Sequence, residues 1–213
     1  MQILIIGAGG HAQVIADILW KIKERNSGIK ILGFLDDNPK LTGTHQIGLP
    51  ILGPIDQISH ISHDAVIIAV GNNINRRYLF EKLKREGEKF FTARHPDAII
   101  GAEVNIGNGT MICAGVVINP CSSIGDNVIL NTGCTVDHHN QIGHHSHVAP
   151  GAHLGGDVSI GESALVGIGA VIAPGLHIGD QSRIGAGACV VRDVPVGQTV
   201  TGVPAKPSKK NNV

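Results

Sequence analysis

The stretch "TVDHHNQIGHHSHVAPGAHLGG", residues 135–156, carries an aliphatic side chain at every sixth place: Val136, Ile142, Val148 and Leu154. The same step runs outward in both directions, from Ile100 to Val196, through seventeen positions that are all Ile, Leu or Val. Glycine often follows the aliphatic, as at Gly101, Gly125, Gly155 and Gly179, and a mostly small or β-branched residue stands four places after it. A period of six fits neither a 3.6-residue helix nor a two-faced strand. It predicts a parallel β-helix of short flat sides, with aliphatics pointing inward and glycine easing each corner.

The aromatic residues mark a boundary. Trp20, Phe34, Tyr78, Phe80, Phe90 and Phe91 are all the rings of the 213-residue chain, and none lies in the repeat. Two different cores follow, the second too narrow for a ring. The formal charge is zero, with 17 basic and 17 acidic side chains, so no broad electrostatic footprint for nucleic acid or an anionic membrane is visible. No apolar run is long enough for a membrane span and no leader is evident, which predicts a cytoplasmic globular protein. The four cysteines form no C-x-x-C pair and read as small apolar fillers in a reducing compartment.

Ahead of the repeat, "MQILIIGAGGHAQVIADILW" (1–20) reads as a buried strand, a glycine turn and a helix. Gly7, Gly9 and Ala12 fit the G-x-G-x-x-A turn in its strand-to-helix context, where glycine lets a diphosphate approach the backbone. The helix start offers its N–H groups to the same anion. A second strand, "KILGFLDD" (30–37), ends in Asp36 and Asp37, placed like an acidic pair that grips a ribose or base. A third, "AVIIAVGNN" (65–73), ends in Gly71, Asn72 and Asn73, and "INRRYLFEKLKREG" (74–87) is an amphipathic helix. The expectation is a Rossmann-like half-fold with a three-stranded parallel sheet over residues 1–95, then the β-helix over 96–213. Half a dinucleotide fold suits a mononucleotide better than NAD.

The repeat resembles the hexapeptide-repeat acyltransferases, and that resemblance implies a left-handed β-helix of three sides with eighteen residues per coil, buried by trimerisation. In that register His138 lies at a corner and Gly156 stacks one coil further along the same column, leaving open space beside it. His147 is nine residues from His138, one and a half sides around, so these two imidazoles diverge within one chain and could meet only across a subunit contact. Asp137 stands where glycine or asparagine is usual. It is either a corner cap or the carboxylate that fixes the tautomer of a general-base histidine.

With its N-terminal half-fold, the whole chain is similar to the sugar O- or N-acetyltransferases of bacterial surface-glycan and sialic-acid pathways. Among them it most resembles those acting on a UDP-linked 4-amino-4,6-dideoxy sugar in bacillosamine biosynthesis. The residues that carry this are "GAGGH", "FLDD", "GNN", "NTG", "DHH", "HVAPGA" and "GVPAK". The resemblance implies His138 as general base and His147 as a donor to the acetyl carbonyl from the neighbouring subunit of a homotrimer. It places Asn131 near the acceptor amine, and Gly9, Gly10, His11, Asp36, Asp37 and Gly71 against the nucleotide sugar. His147, Gly156, Ile168 and Ala186 then line the groove for acetyl-CoA, with no metal required. Some relatives carry a carboxylate directly after the base histidine. This chain has His139 there, so the orienting role would fall to Asp137.

These residues imply direct attack of a sugar amine on the thioester. GDP-perosamine and a sialic acid hydroxyl are alternative acceptors. The rival from another class is a zinc-dependent, carbonic-anhydrase-like β-helix enzyme drawing ligands from His139, His144, His145, His147 and His153, under which the glycine turn would be idle. A non-enzymatic nucleotide-sugar sensor would not need the Asp137–His138 pair. On the acetyltransferase reading, His144, His145 and His153 are expected to be solvated side chains.

Overall fold

The computed structural model describes residues 1–25 and 28–208. The chain divides into two compact units, Met1–Pro96 and Asp97–Val213.

In the first unit β1 (Gln2–Ile6), α1 (Gly10–Arg25), β2 (Lys30–Leu35), β3 (His45–Gln46), β4 (Leu49–Gly53), β5 (Ala65–Ile68) and α2 (Asn73–Arg85) follow one another. Their sheet has the order β3-β4-β2-β1-β5. β1 runs parallel to both β2 and β5, and β2 parallel to β4, whereas β3 is antiparallel to β4. The sheet is therefore wider than the three strands expected. The added pair was hidden because Leu49–Gly53 is short and interrupted by Pro50, which demotes a run in any strand reading. Its hairpin turns through Ile47 and Gly48 at φ 41° and 79°, the left-handed pair that a tight hairpin requires. Ile3, Leu4, Ile5 and Ile6 are fully buried, and α1 packs Ala12, Ile15, Ala16, Ile18 and Leu19 inward. Chain order reverses at β1, so the crevice beyond the C-terminal ends of β1 and β5 is the topological switch point where such sheets take ligands.

The second unit is the left-handed β-helix expected. Two-residue strands pair in parallel with partners eighteen residues away, as in Val117↔Thr135, Ser123↔Gln141 and Ile129↔His147. One face stacks Ile99–Ile100 through Cys189–Val190, a second Asn105–Ile106 through His177–Ile178, and a third includes Met111–Ile112 through Arg183–Ile184. The aliphatics of the six-residue step from Ile112 to Val190 are buried.

Two details correct the sequence reading. Where glycine follows an inward aliphatic it does not ease the corner; it makes room for the next coil. A β-carbon on Gly143 would lie 2.7 Å from Glu162 N, and one on Gly155 2.7 Å from Pro174 N. The corner itself is turned two residues later, by a left-handed residue in every coil from Glu103 (φ 57°) to Gly187 (φ 64°). The period also slips at its end. Val196 is 69% exposed, while Val194 bridges Ile178 and Val200 pairs with Ile184. The last coil is two residues short, and Val196 is aliphatic without facing the core.

Candidate active site

In the first unit Gly7, at φ 97°, directs the chain from β1 toward α1, and its N–H donates to Leu35 O at 2.7 Å. Gly9, Gly10 and Gly71 are exposed, and a β-carbon on any of them would meet nothing within 4 Å. They leave a bare rim at the switch point. Asp36 and Asp37 have structural bonds there. Asp36 accepts from Ala8 N at 2.7 Å and Asn38 N at 2.9 Å, and Asp37 accepts from Ile55 N at 2.9 Å. Asp36 thus ties the end of β2 to the glycine turn.

Sequence reasoning missed Arg76. It is fully buried, and its guanidinium donates to Val70 O (3.1 Å), Gly71 O (3.2 Å) and Asn73 Oδ1 (2.9 Å), shaping the loop after β5. The available signal was its spacing with Phe80 and Leu83, which places all three on the buried face of α2. Burial pulls Arg76 down to about 9, which leaves it charged at neutral pH. His11 is pushed down to about 4, first by burial and then by the Arg76 charge, so it is neutral at pH 7.

In the second unit Asp137, His138 and His139 form the corner that follows the first face. The His138 ring lies against Gly156 of the next coil. A β-carbon at that glycine would fall 2.5 Å from His138 Cε1 and 2.6 Å from Nε2. The open space expected beside Gly156 is thus filled by the ring. Asp137 does not orient the imidazole as expected. Its Oδ1 accepts from Asn119 Nδ2 at 2.6 Å and from the His138 main-chain N at 2.8 Å, and these bonds hold the carboxyl below the usual carboxylate range. The partner of the His138 ring is His139, with the two Nδ1 atoms 3.0 Å apart and the rings edge-on. Successive side chains in a strand diverge, but His139 occupies the left-handed corner position at φ 58°, which turns its ring back beside His138.

The backbone of this corner is rigidly tied. Asn140, fully buried at an inward position, donates to Asp137 O at 2.7 Å and Gly155 O at 2.9 Å. Ser122 Oγ donates to Asp137 O at 2.8 Å. Those carbonyls belong to the Asp137–His138 and Gly155–Gly156 peptides. Along the second face an open groove of about 1020 Å³ is lined by His139, His144, Asp157, Gln141, Ser159 and His177, among others.

His147 lies on the third face, away from that corner, with Asn131 Nδ2 3.2 Å from its Nε2. Asn131 therefore sits beside His147, while its Oδ1 accepts from Thr132 N at 2.8 Å. Ile168, 62% exposed, and Ala186 stack on the corner after this third face, where Gly187 N donates to Ile168 O at 2.8 Å. The residues assigned to acetyl-CoA thus divide within one chain, with His147 on the third face, Ile168 and Ala186 on the corner after it, and Gly156 at the other corner. The remaining histidines are not merely solvated. His145 is 4% exposed and pairs with Asn127 at 2.9 Å, His144 Nδ1 accepts from Asp126 N at 2.8 Å, and His153 pairs with Thr135 Oγ1 at 2.9 Å. They brace successive coils.

The cysteines offer no activated nucleophile at the corner. Burial pushes Cys113 and Cys134 up to about 12. Cys121 is exposed rather than a filler, and it donates to Glu103 Oε2 at 3.7 Å; its thiol is also raised.

Comparison with known proteins gives two family matches, the PglD N-terminal domain over residues 2–83 and the bacterial transferase hexapeptide (six repeats) over residues 157–192. UDP-N-acetylbacillosamine N-acetyltransferase of Bacillus subtilis is 37% identical over 118 residues, which is 53% of this chain and 51% of that protein, so the match spans about half of that relative. The acetyltransferase domain of PglB from Neisseria gonorrhoeae, solved with acetyl coenzyme A, is 36% identical with a TM-score of 0.90, covering 97% of this chain and 98% of that one. PerB from Caulobacter crescentus, solved with CoA and GDP-perosamine, is 36% identical with a TM-score of 0.89, covering 98% and 97%. WeeI from Acinetobacter baumannii is 31% identical with a TM-score of 0.87, covering 98% and 100%.

Proposed function

The chain belongs to the acetyltransferase family of the PglB acetyltransferase domain and PerB, and on that premise we propose that it acetylates the 4-amino group of a UDP-linked 4-amino-4,6-dideoxy sugar, with acetyl-CoA as donor. The observation that carries the reading is the His138 ring, seated on Gly156 with its Nδ1 3.0 Å from His139 Nδ1. Of two facing Nδ1 atoms one holds the proton and the other accepts it. With the proton on His138 Nδ1, His138 Nε2 keeps its lone pair for a substrate. His139 thereby takes the positioning role expected of Asp137.

The sugar amine attacks the thioester carbonyl carbon as His138 Nε2 takes its proton. The C–S bond then breaks, and coenzyme A leaves as the thiol with that proton. General-base assistance of this kind contributes about 10²–10⁴-fold. His147, supplied by a neighbouring copy in a homotrimer, donates to the developing oxyanion, a contribution of about 3 kcal/mol. A second copy also explains why His147, Ile168 and Ala186 stand away from the corner of His138 and Gly156. The bare rim of Gly9, Gly10 and Gly71 receives the nucleotide diphosphate, with Asp36, Asp37 and His11 bordering it.

Both UDP and GDP are represented among the relatives, in UDP-N-acetylbacillosamine N-acetyltransferase and PerB. The test is thiol release from acetyl-CoA with a panel of UDP-, GDP- and CMP-linked amino sugars. Turnover with a UDP-4-amino-4,6-dideoxy sugar, lost in His138→Ala, is the expected result. Preference for a GDP-sugar would correct the substrate, and a near-normal rate in His138→Ala would remove the base.

A further inference from the structure

His138, His139 and Asp157 are the group among the described residues whose potential ligand atoms all lie within 4.8 Å of one another. The repeat builds this cluster. Asp157 follows His139 by one coil at the same left-handed corner, and both have φ 58°. Asp157 N donates to His138 O at 3.0 Å, which locks the two coils in register. All three side chains are exposed and open to an ion from solvent.

The spacing suits a transition metal. Two nitrogens bound to one tetrahedral zinc at about 2.0–2.1 Å lie roughly 3.3–3.4 Å apart, and the two Nδ1 atoms already stand at 3.0 Å. An ion at that distance from both nitrogens sits off the line joining them, so binding displaces the proton they share and turns each ring slightly toward the metal. The Asp157 carboxylate closes the third position through a small rotation of an exposed side chain, and water takes the fourth. Neutral imidazole and carboxylate are ordinary ligands for Zn²⁺.

We propose that His138, His139 and Asp157 form a binding site for a divalent transition metal ion such as Zn²⁺, and that the bound ion switches acetyl transfer off. Coordination uses the lone pair of His138 Nδ1 and confines the ring proton to Nε2. That nitrogen then has no lone pair with which to accept the amine proton. The ion is an inhibitor here and takes no part in the reaction. The inhibitory half of the proposal rests on His138 being the base; the binding half does not.

The experiment is calorimetric titration of tag-free, chelator-treated protein with Zn²⁺, repeated with Co²⁺ to read its visible absorption bands. It is paired with acetyl-transfer assays across the same metal range. Expected is one ion per chain, bound at least tenfold more weakly in His139→Ala and in Asp157→Asn. Asp157→Asn should keep its transfer rate without metal yet need at least tenfold more Zn²⁺ for half-inhibition, and chelator should restore the wild-type rate. Equal binding by wild type and both variants would overturn the site. Saturation of the site with transfer unchanged would overturn the inhibition. If His138→Ala transfers acetyl normally, the base assignment fails, while the titrations still decide the site.

Discussion

The glycines of the rim in the first unit and those that follow inward aliphatics or face His138 in the β-helix have opposite surroundings. At Gly9, Gly10 and Gly71 a β-carbon would meet nothing within 4 Å, whereas at Gly143 it would strike the Glu162 backbone at 2.7 Å and at Gly156 the His138 ring at 2.5 Å. At the rim the missing side chain leaves room for something that is not protein. At the stacked positions of the β-helix it leaves room for the protein itself, either the next coil or the imidazole. The same contrast governs charge. The first unit buries Arg76 beside a titratable His11, while the second keeps its Asp137, His138, His139 and Asp157 outside a core of aliphatic and small side chains.

The comparison breaks most visibly at Gly156. Replacing it with valine puts a side chain where the His138 ring lies, and the acetyl-transfer rate should fall by about 10²–10⁴-fold, as for loss of the base itself. The circular dichroism of the β-helix should persist. An unchanged rate would mean that the ring does not need its seat.

The buried charge gives the next effect. His11 has a folded pKa of about 4 against an ordinary 6.5, so the unfolded chain binds the proton first. Its contribution is fully present above pH 6.5 and is lost as pH falls toward 4, amounting to about 3 kcal/mol. His11→Asn should flatten the thermal stability of the protein across that window. Parallel curves for the two proteins would refute the burial.

Substituting alanine at the two kinds of glycine tests the contrast directly. Gly143→Ala forces backbone against backbone and should cost about 1–3 kcal/mol of stability, read as a lowered midpoint of thermal unfolding. Gly9→Ala should change stability by less than about 0.5 kcal/mol, yet raise KM for the nucleotide sugar with kcat retained. The smallest effect concerns the partner of the base. A carboxylate in His139→Glu holds a protonated His138 more firmly, so the acid limb of the pH–rate profile should move to higher pH. His139→Ala should lower the rate, on the order of tenfold, without moving KM.

Much of the architecture was legible because the repeat obeys a local rule. An inward aliphatic every six residues, from Ile112 to Val190, states the length of each side directly, the resemblance to hexapeptide-repeat acyltransferases supplies three sides per coil, and the glycine turn at Gly7–Ala12 states the strand–turn–helix. Three features escaped. The β3–β4 hairpin was masked by Pro50, whose ring lowers any strand reading although the neighbours still pair. The slip after Val190 was masked by Val196, an aliphatic that keeps the rhythm while facing solvent. Arg76 was masked by its charge, since a guanidinium in an amphipathic helix reads as surface until three acceptors are found around it.

Within the candidate site, sequence determined that His138 stacks beside Gly156 once the eighteen-residue coil of the resembling family is granted, and the same count puts His139 in column with Asp157. It also separated His138 from His147, since half a coil of offset cannot be closed within one chain. What only the tertiary structure decided is the partner of each side chain. Asp137 turned to Asn119 and the backbone, and His139 turned to His138, because a left-handed φ at the corner reverses where neighbouring side chains point. Stacking follows from counting residues, but direction depends on a dihedral angle that no six-residue period records.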